Sequence, residues 1–198
     1  MNKEECNTCK NFKNNTCNIT PKQDIAKDKI QSFIESALKE LYTKDIPLIE
    51  SDVHEIAIVA QFFSYFKEEI KSNYPEYDVD MEYNKKGDDP KKYYNSSENE
   101  VYGIRPDLIV HKRKRNCNNL LYLEFKKVSN KDTLSHDYEK LIEVTLPINK
   151  LPEKNKEYGY DYKFAASILL DKRSAKIVWF ENGKKVLDLE RRYNGSKN

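Results

Sequence analysis

Two neighbouring apolar runs, RPDLIVH at residues 105–111 and LLYLEFKKV at residues 120–128, constrain the fold more than any other feature. The polar link between them is too short for a crossover, so the runs predict an antiparallel hairpin. Each run carries charge where a buried strand gains nothing from it. Strand side chains alternate faces, which puts Glu124 and Lys126 on one face and Phe125 on the other. Asp107, just after Pro106, stands on the neighbouring strand close to Glu124. Two carboxylates that close repel unless something positive lies between them. A hard divalent cation with oxygen ligands, Mg²⁺ or Mn²⁺, answers that need. Lys126 is then placed to hold an attacking water or steady a phosphoryl oxygen. The competing reading is a set of strand-edge charges that only form salt bridges.

The surrounding pattern predicts helices and further strands. Thr20, Pro21 and Gln23 resemble a capped helix start. Ile30, Phe33, Ile34, Ala37, Leu38 and Leu41 recur at helical spacing, so residues 21–43 should form an amphipathic helix. A second helix is expected over residues 51–72, capped by Ser51. Its segment 56–66 is apolar on almost every side, which predicts burial against more than one neighbour. Strands are expected at 77–83, 101–111, 120–128, 162–170, 175–181 and 184–189, with a polar loop over 85–100. Asn182-Gly183 is the strongest hairpin signal in the chain. A helix capped by Ser135 should end before Pro147, and residues 147–157 read as a loop. The order predicts an α/β (α+β) domain with a mixed sheet and helices on its faces. Residues 1–19 read as a Cys-containing segment, 20–192 as the folded domain, and 193–198 as a disordered tail.

Pro106-Asp107, sixteen further residues, then Glu124-Phe125-Lys126 resembles the PD-(D/E)xK nuclease superfamily. Glu55, early on the helix before the sheet, is similar to the upstream acidic residue of many members. Asp137-Tyr138-Glu139-Lys140-Leu141 resembles the helix that often follows the catalytic strand. The likeness spans about residues 50–170 and implies a restriction-endonuclease-like fold. It further implies that Asp107, Glu124 and the Phe125 carbonyl bind metal, with Glu55 completing the metal or water shell. Lys126 would orient or deprotonate water, and Lys140 would approach phosphate. The implied reaction is metal-assisted hydrolysis of phosphodiester bonds, in DNA first and RNA as the alternative. A non-catalytic nucleic-acid-binding or interaction module that reuses the fold is the other reading. The recombination-exonuclease branch carries Gln-x-x-x-Tyr on this helix; here Tyr138 stands without that Gln.

The balance of 35 basic and 33 acidic residues gives a net charge of +2, so any nucleic-acid surface must be local. The basic turn Lys112, Arg113, Lys114 and Arg115 is the candidate for guiding phosphates, against the alternative of a solvated face. Cys6, Cys9 and Cys17 have a spacing compatible with Zn²⁺, with free thiols or with a disulfide. No apolar run is long enough to span a bilayer, and no signal core opens the chain. A soluble, cytoplasmic protein without a membrane partner is therefore expected, with a homodimer one admissible assembly.

Overall fold

The computed structural model describes residues 25–51, 53–86, 89–113 and 118–193. Its centre is a six-stranded mixed sheet built from β1 (Asp78–Met81), β6 (Leu108–His111), β7 (Leu121–Lys127), β8 (Phe164–Leu170), β9 (Ser174–Glu181) and β10 (Lys184–Arg192), in that spatial order. Every neighbouring pair is antiparallel except β7 with β8, which run parallel. A parallel pair needs a crossover connection, and α4 (Leu134–Thr145) supplies it. Two small hairpins stand apart from this sheet: β2 (Lys85–Lys86) with β3 (Asp89–Pro90), and β4 (Lys92–Asn95) with β5 (Glu100–Gly103).

Helices cover both faces. On one lie α1 (Lys27–Lys44), the short α2 (Ile46–Glu50) and α3 (Glu55–Asn73). The apolar stripe expected on α1 is buried at all six positions, Ile30 through Leu41. On α3, Ile58, Val59, Phe62, Phe66 and Ile70 are buried, and Phe62 meets Phe125 of β7 edge-on with ring centres 4.9 Å apart. The opposite face carries α4, with Leu141 and Val144 buried against Tyr122, Val178 and Phe180.

Several expectations are corrected. The first helix does not begin at residue 21, because Ala26 is extended (φ −70°, ψ 141°) and helix starts at Lys27; Thr20, Pro21 and Gln23 lie outside the described residues. Ser51 closes α2 and does not open α3. Pro47, fixed in φ, suits the first turn of that short extra helix. Burial of α3 is one-sided, since Ile56 is 40% exposed and Ala57 and Ala60 face outward. The expected strand 101–111 divides into β5 and β6 at Ile104, Arg105 and Pro106, where the proline cannot donate a ladder hydrogen bond. The expected loop 85–100 holds β2, β3 and β4. β10 continues to Arg192, and Tyr193 is packed against Tyr42, with stacked rings 4.4 Å apart.

That loop also buries an amine. Lys91 is 4% exposed, with its ammonium 3.3 Å from the Tyr162 hydroxyl and over the rings of Tyr83, Tyr160 and Tyr162. Burial pushes its pKa down to about 7.

The predicted hairpin at Asn182-Gly183 is present between β9 and β10, with both residues at positive φ (52° and 74°). A Cβ on Gly183 would lie 2.6 Å from Leu146 Cδ1. Gly183→Ala is therefore expected to cost about 1–2 kcal/mol. Urea denaturation checks this, and an unchanged midpoint would contradict it.

Candidate active site

The site forms where β7 outruns its neighbour. β6 and β7 pair through Leu108↔Leu123, and one further step along that register sets Asp107 beside Glu124. Beyond Leu123 the edge of β7 has no strand partner on that side. Its N–H groups are taken by carboxylates instead. Phe125 N–H donates to Asp107 Oδ2 at 2.7 Å, and Lys127 N–H donates to Glu55 Oε2 at 2.6 Å. Glu55 reaches this edge from the first turn of α3, and the Lys127 ammonium ties to the Val53 carbonyl just before it. In a strand the N–H and C=O of one residue point to the same side. The Phe125 carbonyl accordingly faces the edge occupied by Asp107.

The crossover helix completes the cluster. Lys140 of α4 places its ammonium 2.8 Å from Glu124 Oε1 and 3.3 Å from Asp137 Oδ1. Lys126 lies 3.5 Å from Asp137 Oδ2 and 3.9 Å from Glu55 Oε1. Glu55, Asp107, Glu124, Lys126 and Lys140, each marked in the sequence, thus come together. Two further members were not singled out there. Asp137 sits three residues before Lys140, which places both on one helix face. Tyr122 sits two residues before Glu124 on the same strand face, fully buried, and burial, reinforced by Glu124, pushes its phenol pKa well above the ordinary value. The two-residue and three-residue spacings were the available signals.

Charge does not balance within the cluster. Four carboxylates (Glu55, Asp107, Glu124 and Asp137) face the two ammonium groups of Lys126 and Lys140. Burial pushes the Asp107 pKa up to about 6 against the help of the Phe125 N–H and Lys140. Burial likewise pushes Glu124 up to about 8, opposed by Lys140 and reinforced by Asp107. Lys140 pays a desolvation cost too, but Glu124 and Asp137 outweigh it and raise its pKa.

This donor set fits a hard divalent cation. The oxygens of Asp107 and Glu124 are the ligand type Mg²⁺ prefers, and the excess negative charge is what such an ion neutralises. Among the described residues no group of three or more His, Cys, Asp or Glu side chains gathers as a metal cage. Mg²⁺ does not require one, because it is commonly held by one or two carboxylates with water and substrate phosphate completing the shell.

Cys6, Cys9 and Cys17 fall outside the described residues, as do Lys114 and Arg115. Lys112 and Arg113 follow the far end of β6, five and six residues beyond Asp107. At about 3.3 Å per residue this is roughly 16–20 Å from the carboxylates. Arg113 is held by Asp80 through its guanidinium (Nε to Oδ2, 2.8 Å), and Lys112 lies over the Tyr77 ring at 5.0 Å. Lys112 and Arg113 stand at the opposite end of β6 from Asp107.

Among the described residues no helix is long and apolar enough to cross a membrane. Comparison with protein-family models, with curated proteins and with solved structures returns no match to this chain.

Because the folded Glu124 holds a proton more tightly than the ordinary 4.5, its contribution to stability is fully present below that pH and is lost as pH rises through about 8. Lys140→Ala removes the counter-charge only where Glu124 is ionised. It should cost about 3 kcal/mol above pH 8 and clearly less at pH 5. Denaturant melts at the two pH values measure the difference, and equal losses would contradict the pairing.

Proposed function

We propose that this chain is a divalent-metal-dependent nuclease of the PD-(D/E)xK type that hydrolyses phosphodiester bonds, with DNA as the first substrate to test. The observation that carries the reading is the convergence of Asp107, Glu124 and Lys126 with Glu55 and Lys140 at the unpaired edge of β7. The bare motif would be satisfied by a chance sequence; its assembly from two strands and two helices is much harder to obtain by chance.

In this reading Asp107, Glu124 and the Phe125 carbonyl hold a Mg²⁺ or Mn²⁺ ion. Such an ion, when bound, lowers the pKa of a water and neutralises charge growing on phosphorus. Lys126 orients the attacking water, with Asp137 and Glu55 fixing its ammonium from two sides. Lys140, paired with Glu124 in the free protein, is within reach of a phosphoryl oxygen once a cation takes over that carboxylate. Glu55 is tied to the Lys127 N–H through one oxygen and has the second for water.

A second reading has its own support in the 2.8 Å Lys140–Glu124 contact: the charges form a structural ion-pair network in a non-catalytic nucleic-acid-binding module. The two readings differ in what substitution does. Asp107→Asn keeps an acceptor for the Phe125 N–H, and Lys126→Ala removes a half-buried amine. Under the nuclease reading both variants melt near the wild type and lose at least ~100-fold in cleavage. Incubation with circular and linear DNA and with RNA, in Mg²⁺, Mn²⁺ or EDTA, measures this. EDTA should abolish cutting. Wild-type protein that cuts nothing, together with variants that only lose stability, would establish the structural network.

A further inference from the structure

The paired carboxylates already have a cation beside them. The Lys140 ammonium stands 2.8 Å from Glu124 Oε1. Burial dominates the Asp107 carboxyl, and after the Phe125 N–H it is Lys140 that most favours its ionised form, ahead of Lys126. One amine thus serves both carboxylates, which would otherwise repel. Glu124 is buried and the Lys140 side chain is 17% exposed, so solvent screens the contact little.

Two features let this ammonium leave. Its second partner, Asp137 Oδ1 at 3.3 Å, lies one turn earlier on the same helix, so releasing Glu124 does not strand the charge. The helix itself is anchored by Leu141 and Val144, both fully buried, so an exchange of partners needs only the flexible four-carbon stem to turn. Glu124 is less free, because it stands mid-strand in β7 opposite Ser167 of β8. The lysine is the movable half of the pair. Sharing Glu124 between this ammonium and a divalent ion would set two positive charges a few ångströms apart in a poorly screened site.

We infer that Lys140 is the resident counter-ion of the free site, and that it exchanges Glu124 for Asp137 and a substrate phosphate when a divalent cation binds. The inference rests on the nuclease reading and adds the regulation of that same site. Without nucleic acid, the chain holds its cation weakly, because Lys140 competes for Glu124. Without cation, it offers a phosphate one ammonium fewer, because Glu124 occupies Lys140. Each ligand therefore strengthens binding of the other, and by the same factor.

Calorimetric titration of the full chain with Mn²⁺ at neutral pH, without nucleic acid, reads the competition. Lys140→Met keeps the apolar stem without the charge, and should bind Mn²⁺ about tenfold more tightly than the wild type. Glu124 then grips its own proton harder, but a divalent ion feels the lost ammonium twice as strongly as a proton does, so the sign holds. Lys140→Arg keeps the charge and can hold a carboxylate through two parallel hydrogen bonds, so it should weaken Mn²⁺ binding severalfold. That variant carries the test if the methionine variant fails to fold. The phosphate half uses Lys126→Ala as parent, which should bind a labelled oligonucleotide without cutting it. Adding Lys140→Met should lower its affinity about tenfold in Mg²⁺ and leave it nearly unchanged in EDTA, where Glu124 already engages Lys140. Equal Mn²⁺ affinity in wild type and both Lys140 variants, or an equal loss of oligonucleotide affinity in Mg²⁺ and EDTA, overturns the exchange and leaves the nuclease reading standing. Absence of Mn²⁺ binding in wild type and variants overturns both. Tighter Mn²⁺ binding by Lys140→Met, in a protein whose wild type cuts no nucleic acid, sustains the exchange and retires the nuclease reading.

Discussion

β7 is longer than the strand beside it, and that mismatch organises the molecule. A buried strand edge without a partner leaves N–H groups that must be satisfied. Here Asp107 and Glu55 satisfy them, arriving from the residue before β6 and from the first turn of α3. Two remote pieces of chain are thereby tied to the same edge, and the strand register sets Asp107 beside Glu124. The same hydrogen bonds that finish the sheet also concentrate negative charge, so architecture and chemistry share their anchoring points.

The parallel pairing of β7 with β8 supplies the opposing charge. The chain must cross over between these strands, and it does so through α4, whose Asp137 and Lys140 face the cluster. An antiparallel partner reached by a tight turn would have brought no helix to this place. Burial outweighs the help that Lys140 gives and leaves Asp107 and Glu124 readier to hold a proton than ordinary carboxylates.

Much of this was readable from residues alone, for identifiable reasons. Strand period two put Glu124 and Lys126 on one face, and the short link after His111 demanded a hairpin, so the Asp107–Glu124 approach followed. Glu55 and Lys140 emerged only through the family resemblance, since no local spacing relates them to β7. Helix α3 was set to start too early because Ser51 has the chemistry of an N-cap; the structure uses it to end the turn that Pro47 begins. The region 85–100 looked like plain loop because its charged and Gly-Pro content hides Tyr93, whose burial depends on α4 and the segment near Tyr160. Lys91 was invisible for the same reason, as its depth is a tertiary fact. The partner of Arg113 was equally hidden, since Asp80 lies far away in sequence.

The outermost strand, β10, has a consequence for how copies of this chain meet. It is nine residues long and ends the sheet among the described residues, so its outer edge is one that another strand would extend. Lys184, Lys185, Asp188, Glu190, Arg191 and Arg192 stud it, and its register slips between Lys185 and Leu187. A visiting strand would have to match a kinked backbone while stripping water from six charges. Continuous-sheet assembly is thus disfavoured along this border, and crowded solutions of the protein should resist fibre growth from it.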